Sequence, residues 1–326
     1  MFWASYCLAA LALVLAWPVP IALSRAKWPA RSPFTAMVLW QAIALAGGLS
    51  MIGSMLTWGL EPIGDNLVSA LHGLWNILLD RSPATTLGLV HVFALSAALL
   101  LSIHLVFTLL LTYYRIRRGR RRHRGMLTLL SSPSATRPAT LVINHPAPVA
   151  YCLPGGARSV TVLSDGLLEM LSDEELSAVL IHEKAHLSQR HHLLLWAFAA
   201  WRAALPWLPT SQLAQQSVNE LIEMLADDEA LRTVKPETLI RAVAIVGTGA
   251  QPAEGGLQGT AAKAQDASAS LLAGPDEQEQ LGTVRRLSRL LTPLPPLPAW
   301  QRTAVLIISA LLLAVPTTLL IAPGIL

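Results

Sequence analysis

The chain has 326 residues, of which 53% are hydrophobic and 13% charged, and its mean hydropathy is +0.50. This lies well outside the balance of a soluble globular protein and implies an integral membrane protein. Net charge is +4 and the isoelectric point near 9.4. The two cysteines, Cys7 and Cys152, exclude a disulfide framework, and no cysteine-protease signature surrounds Cys152.

In chain order, the first elements are three apolar segments long enough to span a bilayer, at about 2–23, 34–60 and 87–113. The first has no basic residues ahead of it. Arg25, Lys27 and Arg31 follow it, so it reads as a retained anchor, not a cleaved leader. These cations predict a cytoplasmic first loop, and the cluster Arg115 to Arg124 predicts that the third span also ends inside. Glu61, Asp65 and Asp80 then fall in the outward loop. His91 and His104 in the third span read as groups satisfied by helix packing. The arginine cluster lies immediately beyond a span and carries no aromatic interleaving. Anionic lipid is therefore the expected partner, with no direct nucleic-acid contact.

Residues 1–124 form the expected membrane domain, and 125–300 are long enough to hold a cytoplasmic domain with its own core. Leu141–Ile143 and Val160–Leu163 predict strands in a hairpin-like region punctuated by Pro146, Pro148 and Pro154-Gly155-Gly156. Ser172-Asp173-Glu174-Glu175 has capping-box spacing and starts a helix about three turns before His182. That helix carries His182-Glu183-Lys184-Ala185-His186, the His-Glu-x-x-His pattern. Residues four apart share a helix face, so His182 and His186 can offer imidazole nitrogens to one ion while Glu183 points into the same cavity. A chance match in such a chain has odds of roughly one in a hundred.

Segment 192–206 is apolar, Trp-rich and short for a span. It predicts a helix lying on or dipping into the inner leaflet, or one in the core of the domain. Ser217–Ala230 predicts another helix with Glu220, Glu223 and Asp227 along one face. A catalytic zinc needs a third protein ligand and an open position. Glu223 or Glu220 can supply that ligand, and Asp227 can orient a ligand histidine from behind. Residues 249–274 are rich in Ala, Gly, Gln and Ser and predict a flexible segment. Leu281–Leu291 is helical with Arg285, Arg286 and Arg289, and a proline-rich spacer leads to a fourth span at 303–321, within the final segment 301–326.

HEKAH followed by EMLAD resembles the gluzincin pattern. The stretch VTVLSDGLLEMLSDEELSAVLIHEKAHLSQRH is similar to membrane metallopeptidases related to HtpX and Ste, and more closely to the BlaR/MecR type. The resemblance runs from about Thr140 to Asp228. It implies an α-helical integral membrane protein with four transmembrane helices and an inserted α+β gluzincin-like metallopeptidase domain. It also implies one catalytic zinc on His182, His186 and Glu223, with Glu183 as general base and Asp227 supporting the site from behind. His191 stands where such proteases carry a polar residue that supports a ligand or faces substrate. BlaR/MecR receptors carry an extracellular penicillin-binding sensor after the fourth span, for which this chain leaves no room. The implied activity is endopeptidase cleavage of a protein substrate, in regulated proteolysis of a cytoplasmic regulator such as a BlaI-like repressor. A non-catalytic signalling scaffold and a membrane-protein quality-control protease are the alternatives. The expected location is multi-pass in the cell membrane, with both termini outside and the peptidase domain in the cytoplasm.

Overall fold

The computed structural model describes residues 1–79, 87–134, 137–154, 159–248 and 275–321. The segment expected to be flexible at 249–274 lies outside the described residues, as do Asp80, Gly155 and Gly156. The first apolar run forms α1 (Phe2–Ala16) and α2 (Pro18–Arg25). It is followed by a 3-10 turn (Trp28–Arg31), α3 (Pro33–Leu60), α4 (Leu67–Leu78) and α5 (Leu89–Leu130). A small sheet comes next, made of β1 (Ser131–Pro133), β2 (Thr140–Ile143), β3 (Ala150–Leu153) and β4 (Val160–Ser164). The rest is helical: α6 (Asp165–Met170), α7 (Asp173–Ser188), α8 (His191–Ala204), α9 (Pro209–Ala230), α10 (Pro236–Thr248), α11 (Pro275–Leu291) and α12 (Ala299–Ile321).

Four helical runs, Phe2–Arg25, Pro33–Leu60, Leu89–Leu130 and Ala299–Ile321, are long and apolar enough to cross a membrane. The third does not end where its apolar stretch ends. It continues through the arginines to Leu130, because arginine is a good helix former and no proline interrupts it. Also unforeseen was α4, a short amphipathic helix started by an Asn66/Ser69 capping box.

The sheet order is β1-β2-β4-β3. The two strands expected from sequence, β2 and β4, are parallel neighbours, with Leu141 opposite Val162. They do not form a hairpin. The antiparallel partner of β4 is β3, with Tyr151 opposite Val162, so the chain passes β4's place in the sheet, turns along the far edge and returns. β3 is an edge strand of the sheet.

The capping box at the start of α7 forms as its spacing requires. The Ser172 backbone N–H donates to Glu175 Oε2 at 2.9 Å, and the Glu175 N–H donates to Ser172 Oγ at 3.4 Å. Ser172→Ala is expected to cost about 1 kcal/mol, seen as a lower melting temperature in detergent with zinc content unchanged. An unaltered melting temperature would mean that packing alone starts this helix.

Two apolar cores flank α7 and α9. One joins the apolar helices to α8 and α9 through Leu15, Trp40, Ile43, Phe198, Val218 and Ile222. The other lies beneath the sheet and joins α7, α10 and α11 through Leu163, Val179, Leu239, Val243 and Leu287. Helix α8 runs back along α5: Trp196 stacks near Tyr113 and donates to Leu109 O at 3.3 Å. Further along, His104 Nε2 lies 2.9 Å from Ala204 O. Thr210, at the start of α9, donates to Leu15 O and Ala16 O, each at 2.7 Å. Gly48 leaves room for the Trp201 ring, which an added Cβ would approach to 3.1 Å. The α8–α9 hairpin is therefore wedged against α1, α3 and α5. It does not sit inside the second core, and the near end of α9 reaches from the apolar helices to the site.

Candidate metal centre

His182 and His186 occupy one face of α7 because they are separated by a single turn. Helix α9 packs alongside and brings Glu223 to them. His182 Nε2 lies 3.1 Å from His186 Nε2 and 3.3 Å from Glu223 Oε2, and His186 Nε2 lies 3.5 Å from Glu223 Oε1. Two imidazole nitrogens and a carboxylate converge with all ligand atoms within 4.8 Å. Glu220 is elsewhere, accepting a 2.6 Å hydrogen bond from Arg285 Nη1.

The donor set fits zinc. Four-coordinate zinc with bonds of about 2.0–2.1 Å holds neighbouring ligand atoms about 3.3–3.4 Å apart; the two imidazole nitrogens lie 3.1 Å apart, and the Glu223 carboxylate approaches one by Oε2 at 3.3 Å and the other by Oε1 at 3.5 Å. Facing lone pairs repel unless a cation or proton lies between them. With both imidazoles neutral, as metal ligation requires, ionised Glu223 and Asp227 against the single guanidinium of Arg286 leave one negative charge to meet a dication, and two when Glu183 is ionised as well.

Behind the donors, Asp227 is 1% exposed and its Oδ1 lies 3.0 Å from His182 Nδ1. The approach is close but off the N–H axis, since Nδ1 makes no well-aligned hydrogen bond. Arg286 reaches in from α11. Its Nε and Nη2 donate to Asp227 Oδ2 and Oδ1 at 2.9 and 2.7 Å, and its Nη1 lies 2.9 Å from Glu223 Oε2. This bidentate clamp leaves Glu223 Oε1 as its freer oxygen. Arg286 is the site residue that sequence reasoning did not single out.

The turn from α7 to α8 supports the second histidine. Arg190 adopts a left-handed conformation, φ 51°, which folds His191 back under α7. His191 Nδ1 then lies 3.0 Å from His186 Nδ1, and its Nε2 lies 2.9 Å from Gln189 Oε1. With Gln189 Oε1 accepting, His191 carries its proton on Nε2. Its Nδ1 accepts from His186 Nδ1–H, and His186 Nε2 keeps a lone pair for a metal. His191 is 2% exposed.

Electrostatics follow the same geometry. Burial disfavours charge on His182, but close pairing with the Asp227 and Glu223 carboxylates outweighs it and raises its pKa to about 9. For His186 burial dominates, and its pKa falls to about 4. Burial pushes the Glu223 and Asp227 carboxyls up, yet pairing with His182 and Arg286 prevails and holds both at about 2. Burial raises the Glu183 carboxyl above the ordinary range, with His182 opposing. The Cys152 backbone N–H faces the Glu183 carboxylate and partly offsets that rise, which sets the motif helix beside edge strand β3. Lys184 points outward and is exposed.

Residues 92–239 match Peptidase family M48, a stretch that begins in α5 and includes His182, Glu183, His186, Glu223 and Asp227 but not Arg286. No curated protein and no solved structure matches the chain. Peptidase family M48 consists of zinc-dependent, often membrane-bound proteases, and the donor cluster lies within the matched stretch. The chain is accordingly a zinc metallopeptidase, an enzyme that hydrolyses peptide bonds.

Proposed function

We propose that this chain is a membrane-embedded endopeptidase in which His182, His186 and Glu223 hold one zinc ion and Glu183 is the general base. The observation that carries this reading is the convergence of three donor side chains beside a half-buried carboxylate that is not one of them. Bound zinc supplies Lewis acidity to the peptide carbonyl and acidifies water. Glu183 accepts a proton from the attacking water and returns it to the departing amine nitrogen as the C–N bond breaks. Asp227 and Arg286 fix His182 and Glu223, and His191 fixes the tautomer of His186. The edge of β3 beside Glu183 suits an extended substrate added as a further strand.

Four helices long and apolar enough to cross a bilayer support membrane placement, and we read 1–124 and 301–326 as membrane segments around a peptidase domain at 125–300. Arg289 Nε donates to Ala30 O and Arg31 Nε to Pro295 O, at 2.9 and 2.8 Å. The basic loop after the first span is thus held on the peptidase side. With the positive-inside tendency this supports a cytoplasmic peptidase domain and outward termini. For the biological role we favour regulated cleavage of a cytoplasmic regulator such as a BlaI-like repressor, on the sequence resemblance alone. Substrate trapping tests it: one regulator retained supports this role, and a broad set of membrane proteins points to quality control.

Metal content tests the site itself. Detergent-purified protein is expected to hold about one zinc per chain, as a site with three protein ligands requires, and His186→Ala is expected to lose it. A folded wild-type protein without zinc would instead favour a scaffold that keeps the motif without turnover.

A further inference from the structure

Beside the metal centre, a cavity of about 470 Å³ opens between α5, α8 and the end of β3. Arg117, Arg120, Arg121 and Arg124 line it, together with His192. No carboxylate lines it, and none of these arginines takes part in an ion pair among the described residues. Arg120 and Arg124 are half-buried, and Arg124 donates to Pro154 O at 2.6 Å. The Nδ1 of His192 is buried without a hydrogen-bond partner. So many unneutralised donors around one hollow are a cost to the free protein, and an anion with several acceptor oxygens would relieve it.

The height of the cavity identifies the source of that anion. Its apolar and aromatic wall is Tyr113, Ile116, Leu193 and Trp196, with the Tyr113 and Trp196 rings 5.2 Å apart. Such aromatic pairs mark the level where hydrocarbon meets headgroups. Helix α5 rises about 1.5 Å per residue, so Arg117 to Arg121 lie roughly 6–12 Å beyond Tyr113. That is headgroup depth when the apolar stretch spans the hydrocarbon core.

We propose that this cavity binds the phosphate of an anionic phospholipid from the peptidase-side leaflet, with acyl chains along Tyr113, Trp196 and the apolar part of α5. The assignment rests on the membrane reading given above. It is narrower than attraction of a polybasic segment to a charged surface, because only some of the seven arginines between Arg115 and Arg124 line the cavity. Arg115 and Arg118 do not. The cavity also adjoins one that reaches the metal centre's edge. Ile116, Arg120, His192 and Trp196 line a second cavity of about 710 Å³ that contains Glu223 and Arg286. A bound headgroup therefore shares a wall with the cavity that Glu223 and Arg286 also line.

The test is native mass spectrometry of the full chain in a neutral detergent with added phosphatidylglycerol or phosphatidylcholine. Wild type is expected to retain one phosphatidylglycerol preferentially. The pair Arg120→Gln/Arg124→Gln should weaken retention about tenfold or more, and the pair Arg115→Gln/Arg118→Gln, of equal charge, should not. Should the first pair fail to fold, the exposed Arg117→Gln/Arg121→Gln pair replaces it. Equal losses in both pairs would mean diffuse surface attraction and overturn the site. Millimolar inorganic phosphate that binds with the same arginine dependence while no lipid is retained would overturn the lipid assignment in favour of a soluble phosphate. A chain that stays dispersed without detergent would sink the membrane reading itself. A chain that needs detergent but retains both lipids equally would sink only the lipid site.

Discussion

Glu183→Gln is expected to lower hydrolysis of a fluorescent casein probe by about 10²–10⁴-fold, the usual contribution of a positioned general base, while leaving about one zinc per chain. The substitution is nearly isosteric, and the glutamine carbonyl can still face the Cys152 N–H that Glu183 faces. Strand β3 therefore keeps its place against α7. The side chain lies outside the donor cluster of His182, His186 and Glu223, so metal binding is unaffected. What disappears is a proton acceptor: a neutral amide cannot take the proton from water or return it to the amine. Zinc loss together with activity would show that Glu183 is a ligand and that the site is assigned wrongly. Unchanged turnover would remove the general-base role. Glu183→Asp gives a second view, since drawing the carboxylate back by one methylene keeps the base but misplaces it. It should retain more activity than Gln and far less than wild type.

Legibility in the sequence followed the range of the interactions. The motif helix was readable because its signals are local: Ser172 and Glu175 are three residues apart, and His182 and His186 four. The same held for α9, where Glu223 and Asp227 are separated by one turn. The choice of Glu223 over Glu220 came from resemblance, since both lie on the predicted acidic face. Packing separates them: Glu223 faces His182 at 3.3 Å, whereas Glu220 pairs with Arg285. Strand β3 was missed because four residues, Ala150–Leu153, carry too little alternation to be seen. The parallel pairing of β2 with β4 was missed because register between separated strands leaves no mark in either one. The α8–α9 wedge was open in the sequence because an apolar run of this length suits an interface or a core equally. Its contacts with His104, Gly48 and Leu15 depend on how the long helices pack.

Arg286 is the sharpest case of a residue invisible to local reading, because it lies 59 positions beyond the aspartate that it clamps. Arg286→Met is expected to destabilise the zinc-free protein by about 3–5 kcal/mol, the cost of breaking a buried ion pair from one side. Asp227 is 1% exposed and would keep only His182 as a partner, while Glu223 would lose its 2.9 Å contact. Two opposing effects act on metal binding. Removing the guanidinium loosens the support behind His182, but it also removes a positive charge near the ion. A dication at the donor cluster takes over part of the neutralisation that Arg286 provided. Zinc should therefore raise the melting temperature of Arg286→Met by more than it raises that of wild type. Arg286→Lys keeps the charge without the two-pronged geometry and should fall between them. Adding Asp227→Asn to Arg286→Met should recover part of the loss, since the uncompensated carboxylate is then gone. Thermal unfolding in detergent, with chelator and with zinc, measures all four proteins. Equal melting temperatures for wild type and Arg286→Met under chelator would show that this clamp contributes nothing to the fold, and an equal zinc-induced rise would show that it is electrostatically separate from the metal site.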